Sequence, residues 1–168
     1  MKTRIRPWTL KDAPDLVLAI NNPKVLHNLR DGIPYPYGLH DAEAFIRAML
    51  SADVDSVYAW AIDVDGVAAG SIGVFRQANI HRRTAEMGYY VGEKYWGMGV
   101  ATLAVRAASD WVFEHTDILR VYAEPFAKNS ASRRVLEKAG FLLEGVMRQN
   151  AVKNGEVLDM ALYARIRA

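Results

Sequence analysis

Apolar residues recur along this chain with two different periods, and the changes of period divide it into elements. Lys2 to Trp8 reads as a short strand. Leu16, Val17 and Ile20 then fall on one helical face, and Thr9 stands where an N-cap would open a helix over residues 11–21. Pro23 interrupts that pattern, and a second short helix runs from there to Arg30. The run DGIPYPYG, Asp31 to Gly38, holds too much proline and glycine for either regular state and reads as a loop. Phe45, Ile46, Met49 and Leu50 return to helical spacing within Asp41 to Leu50. Beyond residue 56 strand patterns take over. Val57–Val64 and Val67–Phe75 are joined by Asp65-Gly66, a tight-hairpin dipeptide, and Thr84–Gly92 makes a third strand. Val100, Leu103, Ala104, Ala107, Ala108, Trp111 and Val112 form one stripe, which predicts a helix over 100–115. Leu119–Ala123 is a strand, and Asn129–Ala139 is a helix with Gly140 as its stop. Phe141–Ala151 and Glu156–Ile166 pair around Asn154-Gly155. The expected fold is a mixed α/β (α+β) layer of about seven strands, antiparallel in its first half, with helices flanking it. No linker divides it, so residues 1–168 are read as one domain.

Composition narrows the function classes. The 168 residues are 51% hydrophobic and 24% charged, which suits a packed core and not a disordered chain. A formal charge of +2, with basic residues scattered, offers no footprint for nucleic acid. The absence of cysteine excludes disulfides and thiol chemistry and fits a reducing compartment. MKTRIRPWTLKD has no apolar core of a signal peptide, and no apolar run approaches the roughly 20 residues that span a bilayer. The expectation is a cytoplasmic protein without a membrane partner.

The stretch YWGMGVAT, Tyr95 to Thr102, joins the strand at 84–92 to the helix at 100–115. The first turn of a helix carries unpaired N–H groups at the positive end of its dipole. Gly97 and Gly99 remove two Cβ atoms, Ala101 keeps the next turn narrow, and Thr102 adds a hydroxyl. A phosphate or pyrophosphate can then reach the amides. A turn that simply needs glycine explains the pair equally well. The Walker pattern is not met, because no Lys-Ser/Thr follows. The dinucleotide fingerprint is half met: Glu124 ends the next strand where a ribose-binding acid would stand, but Thr102 replaces the third glycine.

WGMGVA (Trp96 to Ala101) resembles the Q/R-x-x-G-x-G/A pyrophosphate loop of the GNAT acetyltransferases. NSASRRVLEKAGFLLEG (Asn129 to Gly145) is similar to the second signature of one branch, the Rim-type N-acetyltransferases, which modify ribosomal-protein N-termini and many small amines. AEMGYYV (Ala85 to Val91) resembles the strand before the loop. The element order agrees as well, so the likeness covers nearly the whole chain. It implies the GNAT fold and a reaction: transfer of an acetyl group from acetyl-CoA to a primary amine, on a protein N-terminus or a small molecule, by direct attack in a ternary complex.

The resemblance also implies a site. Strand 84–92 would lie beside strand 119–123 and part from it at the C-terminal ends, so that pantetheine pairs with the backbone of Tyr89, Tyr90 and Val91. A backbone N–H near Val91 would hold the developing oxyanion. The pyrophosphate would rest on Trp96, Gly97, Met98, Gly99, Val100, Ala101 and Thr102; Trp96 departs from the family's Gln or Arg. Asn129 matches an asparagine that contacts pantetheine, and Ser132 a serine proposed to protonate the leaving thiolate. Helix capping explains both residues equally well. Strand alternation sets one of Tyr89 and Tyr90 in the core and the other in the cleft. Arg133 and Arg134 are read as solvated helix charges or contacts of the CoA 3′-phosphate.

The acceptor amine must lose a proton before it attacks. Some relatives carry a Glu shortly after the E-G of the second signature, but RQNAVKNG (Arg148 to Gly155) holds no acid until Glu156. Glu86 is the substitute base, with an ion pair to Arg82 or Arg83 as its alternative role. His27, His40, His81 and His115 show no metal spacing, and no metal is assigned. His81 is kept as a substrate contact, as are Tyr35 and Tyr37, for which packing onto the domain is the alternative. Two other readings stand beside the enzyme: a non-catalytic acyl-CoA sensor on the same fold, and a nucleotide-binding oxidoreductase. A homodimer would use the C-terminal hairpin, residues 141–166.

Overall fold

The computed structural model describes residues 1–168. The strands are β1 (Thr3–Arg6), β2 (Val57–Val64), β3 (Val67–Arg76), β4 (Thr84–Val91), β5 (Arg120–Ala123), β6 (Leu142–Lys153) and β7 (Glu156–Ile166). The helices are α1 (Ala13–Ile20), α2 (Pro23–Leu26), α3 (Leu39–Leu50), α4 (Val100–His115) and α5 (Ser130–Lys138). All predicted elements are present. The first helix starts later than expected, because a 3-10 turn at Leu10–Asp12 precedes Pro14 near its N-terminus. The second shrinks to one turn behind Pro23. Two further 3-10 turns, Asn79–His81 and Glu93–Tyr95, escape any periodicity because they are three residues long.

The strands form one sheet in the order β1-β2-β3-β4-β5-β7-β6. Every neighbouring pair is antiparallel except β4 and β5. That parallel ladder is short. It runs from Thr84↔Arg120 to Glu86↔Tyr122 and stops, while β4 continues to Val91. The far half of β4 therefore has no strand on that side, and the sheet opens there into a V.

Alternation along the strands separates two cores. Ile72, Val74, Ala85 and Met87 pack on one face against Val100, Ala104, Val105, Ala108 and Val112 of α4. Ala61 and Ala68 pack on the other with Trp8, Leu16, Ile20 and Ile46, under α1 and α3. A buried ion cluster ties β1 to this second core. Arg6 donates to both oxygens of Asp12 at 2.9 Å and to Asp63 Oδ2 at 2.6 Å. Burial alone would raise both carboxyls, yet the Arg6 hydrogen bonds and backbone N–H donors outweigh it and hold both below their ordinary range.

Candidate active site

The loop at residues 96–99 delivers the chain from β4 into α4. Gly97 and Gly99 have φ of +75° and +78°, a region that side chains disfavour. No atom lies within 4 Å of where either Cβ would stand, so these glycines serve backbone shape and access, not packing. The Trp96 indole N–H donates to the Val91 carbonyl at 2.8 Å and staples the loop to the end of β4. The amides of residues 97–102 donate to no acceptor in the chain; the first α4 bond runs from Leu103 N–H to the Gly99 carbonyl. Six consecutive free donors at a helix entrance form an anion cradle.

That cradle opens onto a cavity of about 720 Å³ that passes through the V between β4 and β5. On the α4/α5 side it is lined by Tyr89, Ala101, Thr102, Asn129 and Ser132. Asn129 caps α5, its Oδ1 accepting from Ser132 N–H at 3.2 Å, and it still faces the cavity. Capping thus leaves Asn129 on the cavity wall. The Tyr89 hydroxyl lies 2.6 Å from Ser132 Oγ and 3.3 Å from its carbonyl. Burial pushes the Tyr89 phenol up to about 12, with the Ser132 bond working the other way, so it stays protonated at any physiological pH. Arg134 and Lys138 stand at the rim one helical turn apart. Arg133 instead packs inward, donating to Tyr163 Oη and the Ala127 carbonyl, which makes it structural.

On the α1–α3 side the cavity holds Arg30, Glu86 and Glu124. Arg30 grips Glu86 with two bonds of 3.0 Å and lies 3.6 Å from Glu124. Two carboxylates share one guanidinium, which leaves a net negative charge. The Glu124 carboxyl is raised, first by burial and then by repulsion from Glu86, with Arg30 pulling it back. Asp31 is tied to Lys153 at 2.9 Å, so the tip of the β6–β7 hairpin braces this wall.

Several expected site residues fall elsewhere. Tyr37 is 6% exposed, packs in the second core and donates its N–H to Asn21 Oδ1, so it is a core residue and not a cavity contact. Tyr35, His81 and Met98 are exposed and lie outside the cavity lining. Tyr89 and Tyr90 do not divide into core and cleft. Alternation sends them to opposite faces of the sheet, but the V exposes both faces to the cavity, and both line it half-buried. Glu86 pairs with Arg30, not with Arg82 or Arg83. Glu124 and Arg30 gave no motif to read as acceptor-site residues; they meet only because β5 ends beside the loop after α2.

An anion cradle at the mouth of the helix after β4, and a cavity through a parted β4/β5 pair, form one continuous site. The chain belongs to the GNAT family: the profile described as "Acetyltransferase (GNAT) domain" matches residues 2–142. It is 36% identical over 98 residues to the uncharacterized N-acetyltransferase YoaA of Bacillus subtilis (strain 168), covering 58% of this chain and 55% of that protein. It is 32% identical over 97 residues to the ribosomal-protein-serine acetyltransferase of Escherichia coli (strain K12), covering 56% and 54%. The chain spans about half the length of these curated relatives. Among solved structures, the RimL ribosomal L7/L12 alpha-N-protein acetyltransferase in complex with coenzyme A superposes with a TM-score of 0.87 at 24% identity, over 99% of this chain and 94% of that one. At that identity the likeness speaks for the fold. No helix is long and apolar enough to cross a membrane.

Proposed function

We propose that the protein is an acetyl-CoA-dependent N-acetyltransferase acting on a primary amine. The observation that carries this is the run of free amides at 97–102, opening onto a cavity that reaches the Glu86–Arg30–Glu124 cluster through the parted strands. When bound, acetyl-CoA supplies an acetyl group activated as a thioester. The amides of 97–102 would hold the diphosphate, with Arg134 and Lys138 near the outer phosphates. The unpaired edge of Tyr89, Tyr90 and Val91 offers backbone groups to the pantetheine amides, and Asn129 faces the same path.

The chain's own groups then handle two protons. The acceptor arrives as an ammonium, drawn by the negative cluster. Glu124 is the better base: both Glu86 oxygens already accept from Arg30, whereas the Glu124 carboxylate is raised and accepts no hydrogen bond from the chain. It takes the ammonium proton, directly or through water. At the other end Tyr89 stays protonated with its hydroxyl 2.6 Å from Ser132 Oγ, and this hydroxyl pair would supply the proton that the leaving sulfur takes up. The sensor reading rested on the missing Glu in RQNAVKNG; Glu124 and Glu86 supply carboxylates from other strands. Membership of the GNAT family speaks against the dinucleotide reading. The names of the relatives favour the Rim branch and a ribosomal-protein or small-amine acceptor.

A thiol-release assay with acetyl-CoA and a panel of amines and peptides tests this. Acceptor-dependent release of free thiol is the expected result. Tight CoA binding with no release for any acceptor would return the sensor reading.

A further inference from the structure

The acceptor half of the cavity has a floor built by strand register. Ala59 on β2 sits opposite Gly73 on β3, and Gly73 sits opposite Gly88 on β4. All three line the cavity on the face that looks toward α1–α3. A row without large side chains leaves a trench across three strands, about 10 Å long at the usual spacing between strands. The Phe75 ring covers Gly73 and floors the middle of the trench, since a Cβ on Gly73 would stand 2.8 Å from that ring, and the open part lies over Gly88, where nothing stands within 4 Å. The walls are Leu29 and Ile33 from the loop after α2, and Phe45 and Met49 from α3. These apolar groups are only partly buried, and Phe75 is 37% exposed. The next row of the sheet carries Phe75, Glu86 and Tyr122 side by side, so the carboxylate stands at the trench's edge.

We infer that the acceptor is a primary amine carried on an apolar body, an aromatic ring or branched chain within two or three bonds of the nitrogen. This rests on the acetyltransferase reading above. The ammonium meets Glu86 and Glu124, and the ring lies over Gly88 against the Phe75 ring that covers Gly73, beneath Phe45 and Met49. A polyamine would have to lay its second ammonium on that floor and lose its water without a partner. An N-terminal serine or glycine would leave the trench unfilled. A free arylalkylamine and the α-amine of a peptide with an apolar first residue present the same chemistry.

The test compares kcat/KM for 2-phenylethylamine, ethylamine, spermidine, and two short peptides that differ only in starting with Phe or Ser. The expected result is an advantage of about tenfold to a hundredfold for the ring-bearing member of each pair. The relative rates of phenylethylamine and the Phe peptide tell the free amine from the chain end. Gly88→Val fills the trench, and nothing stands within 4 Å of its Cβ, so the strand accepts the change. It should bring the phenylethylamine-to-ethylamine ratio down toward one while CoA affinity holds. Ala59→Leu should do the same from the other end. Thiol release that is as fast with spermidine or the Ser peptide would overturn the trench assignment and leave the acetyltransferase reading standing. No release with any amine would sink both.

Discussion

Glu124 illustrates how a single residue's role depends on its neighbours. It is an acid at the end of a strand, and its chemistry comes from burial and from Glu86 across the V, with one arginine between them. If it is the base, Glu124→Gln should lower kcat/KM by about 10²–10⁴ while acetyl-CoA affinity stays near wild type. The pH profile gives a second check. A base must be ionised to act, so kcat/KM of the wild type should fall on the acid side as Glu124 is protonated. Because its carboxyl is raised, that fall should begin above the range of an ordinary glutamate. The glutamine variant should lose that limb. A variant with wild-type turnover would remove Glu124 from the chemistry. Ser132 and Asn129 were legible through a family signature and, by their spacing, as helix-opening residues; Asn129 caps α5, and both line the cavity. Tyr37 was not legible: a tyrosine between proline and glycine in a loop looks exposed until the second core closes over it.

At the scale of an element, the entrance to α4 is the most consequential piece. Its helix was readable from a stripe of apolar residues, and its start from two glycines. The structure adds the left-handed backbone at both and the Trp96 staple to Val91. Gly99→Glu should therefore act twice. A side chain at φ +78° costs about 1–3 kcal/mol of backbone strain, and a carboxylate would stand among the free amides of residues 97–102. Loss of CoA binding by calorimetry, with a folded circular dichroism spectrum and a melting temperature only modestly lowered, is the expected outcome. Unchanged CoA affinity would disprove the cradle. The short β4/β5 ladder is the other telling element. Both strands were visible in the sequence, but the point at which they part was not, since nothing in Met87–Val91 differs in kind from the paired residues before it.

At the scale of the molecule, the sheet is anchored at its first strand by the Arg6–Asp12–Asp63 cluster. Removing Arg6 would leave two buried carboxylates facing each other, and Arg6→Ala should cost about 3–5 kcal/mol in urea denaturation at neutral pH. Both carboxyls are held low in the folded state. Their stabilisation is complete above the unfolded-state value of about 3.9 and is lost as pH falls through it toward the folded value. The wild type should lose urea resistance below about pH 4, and Arg6→Ala should lose less over the same window; parallel losses would dismiss the cluster as the acid-sensitive anchor. What the sequence determined by itself is local: element type and order, the hairpins at Asp65-Gly66 and Asn154-Gly155, and the helix entrance at Gly97-x-Gly99. These follow from side-chain periodicity and backbone freedom within a few residues. The tertiary structure alone decided the insertion of β7 between β5 and β6, the residue at which β4 parts from β5, the meeting of Arg30 with Glu86 and Glu124, and the alignment of Ala59, Gly73 and Gly88 in one row. Each of these depends on register and packing between segments far apart in the chain, and no short-range pattern encodes that.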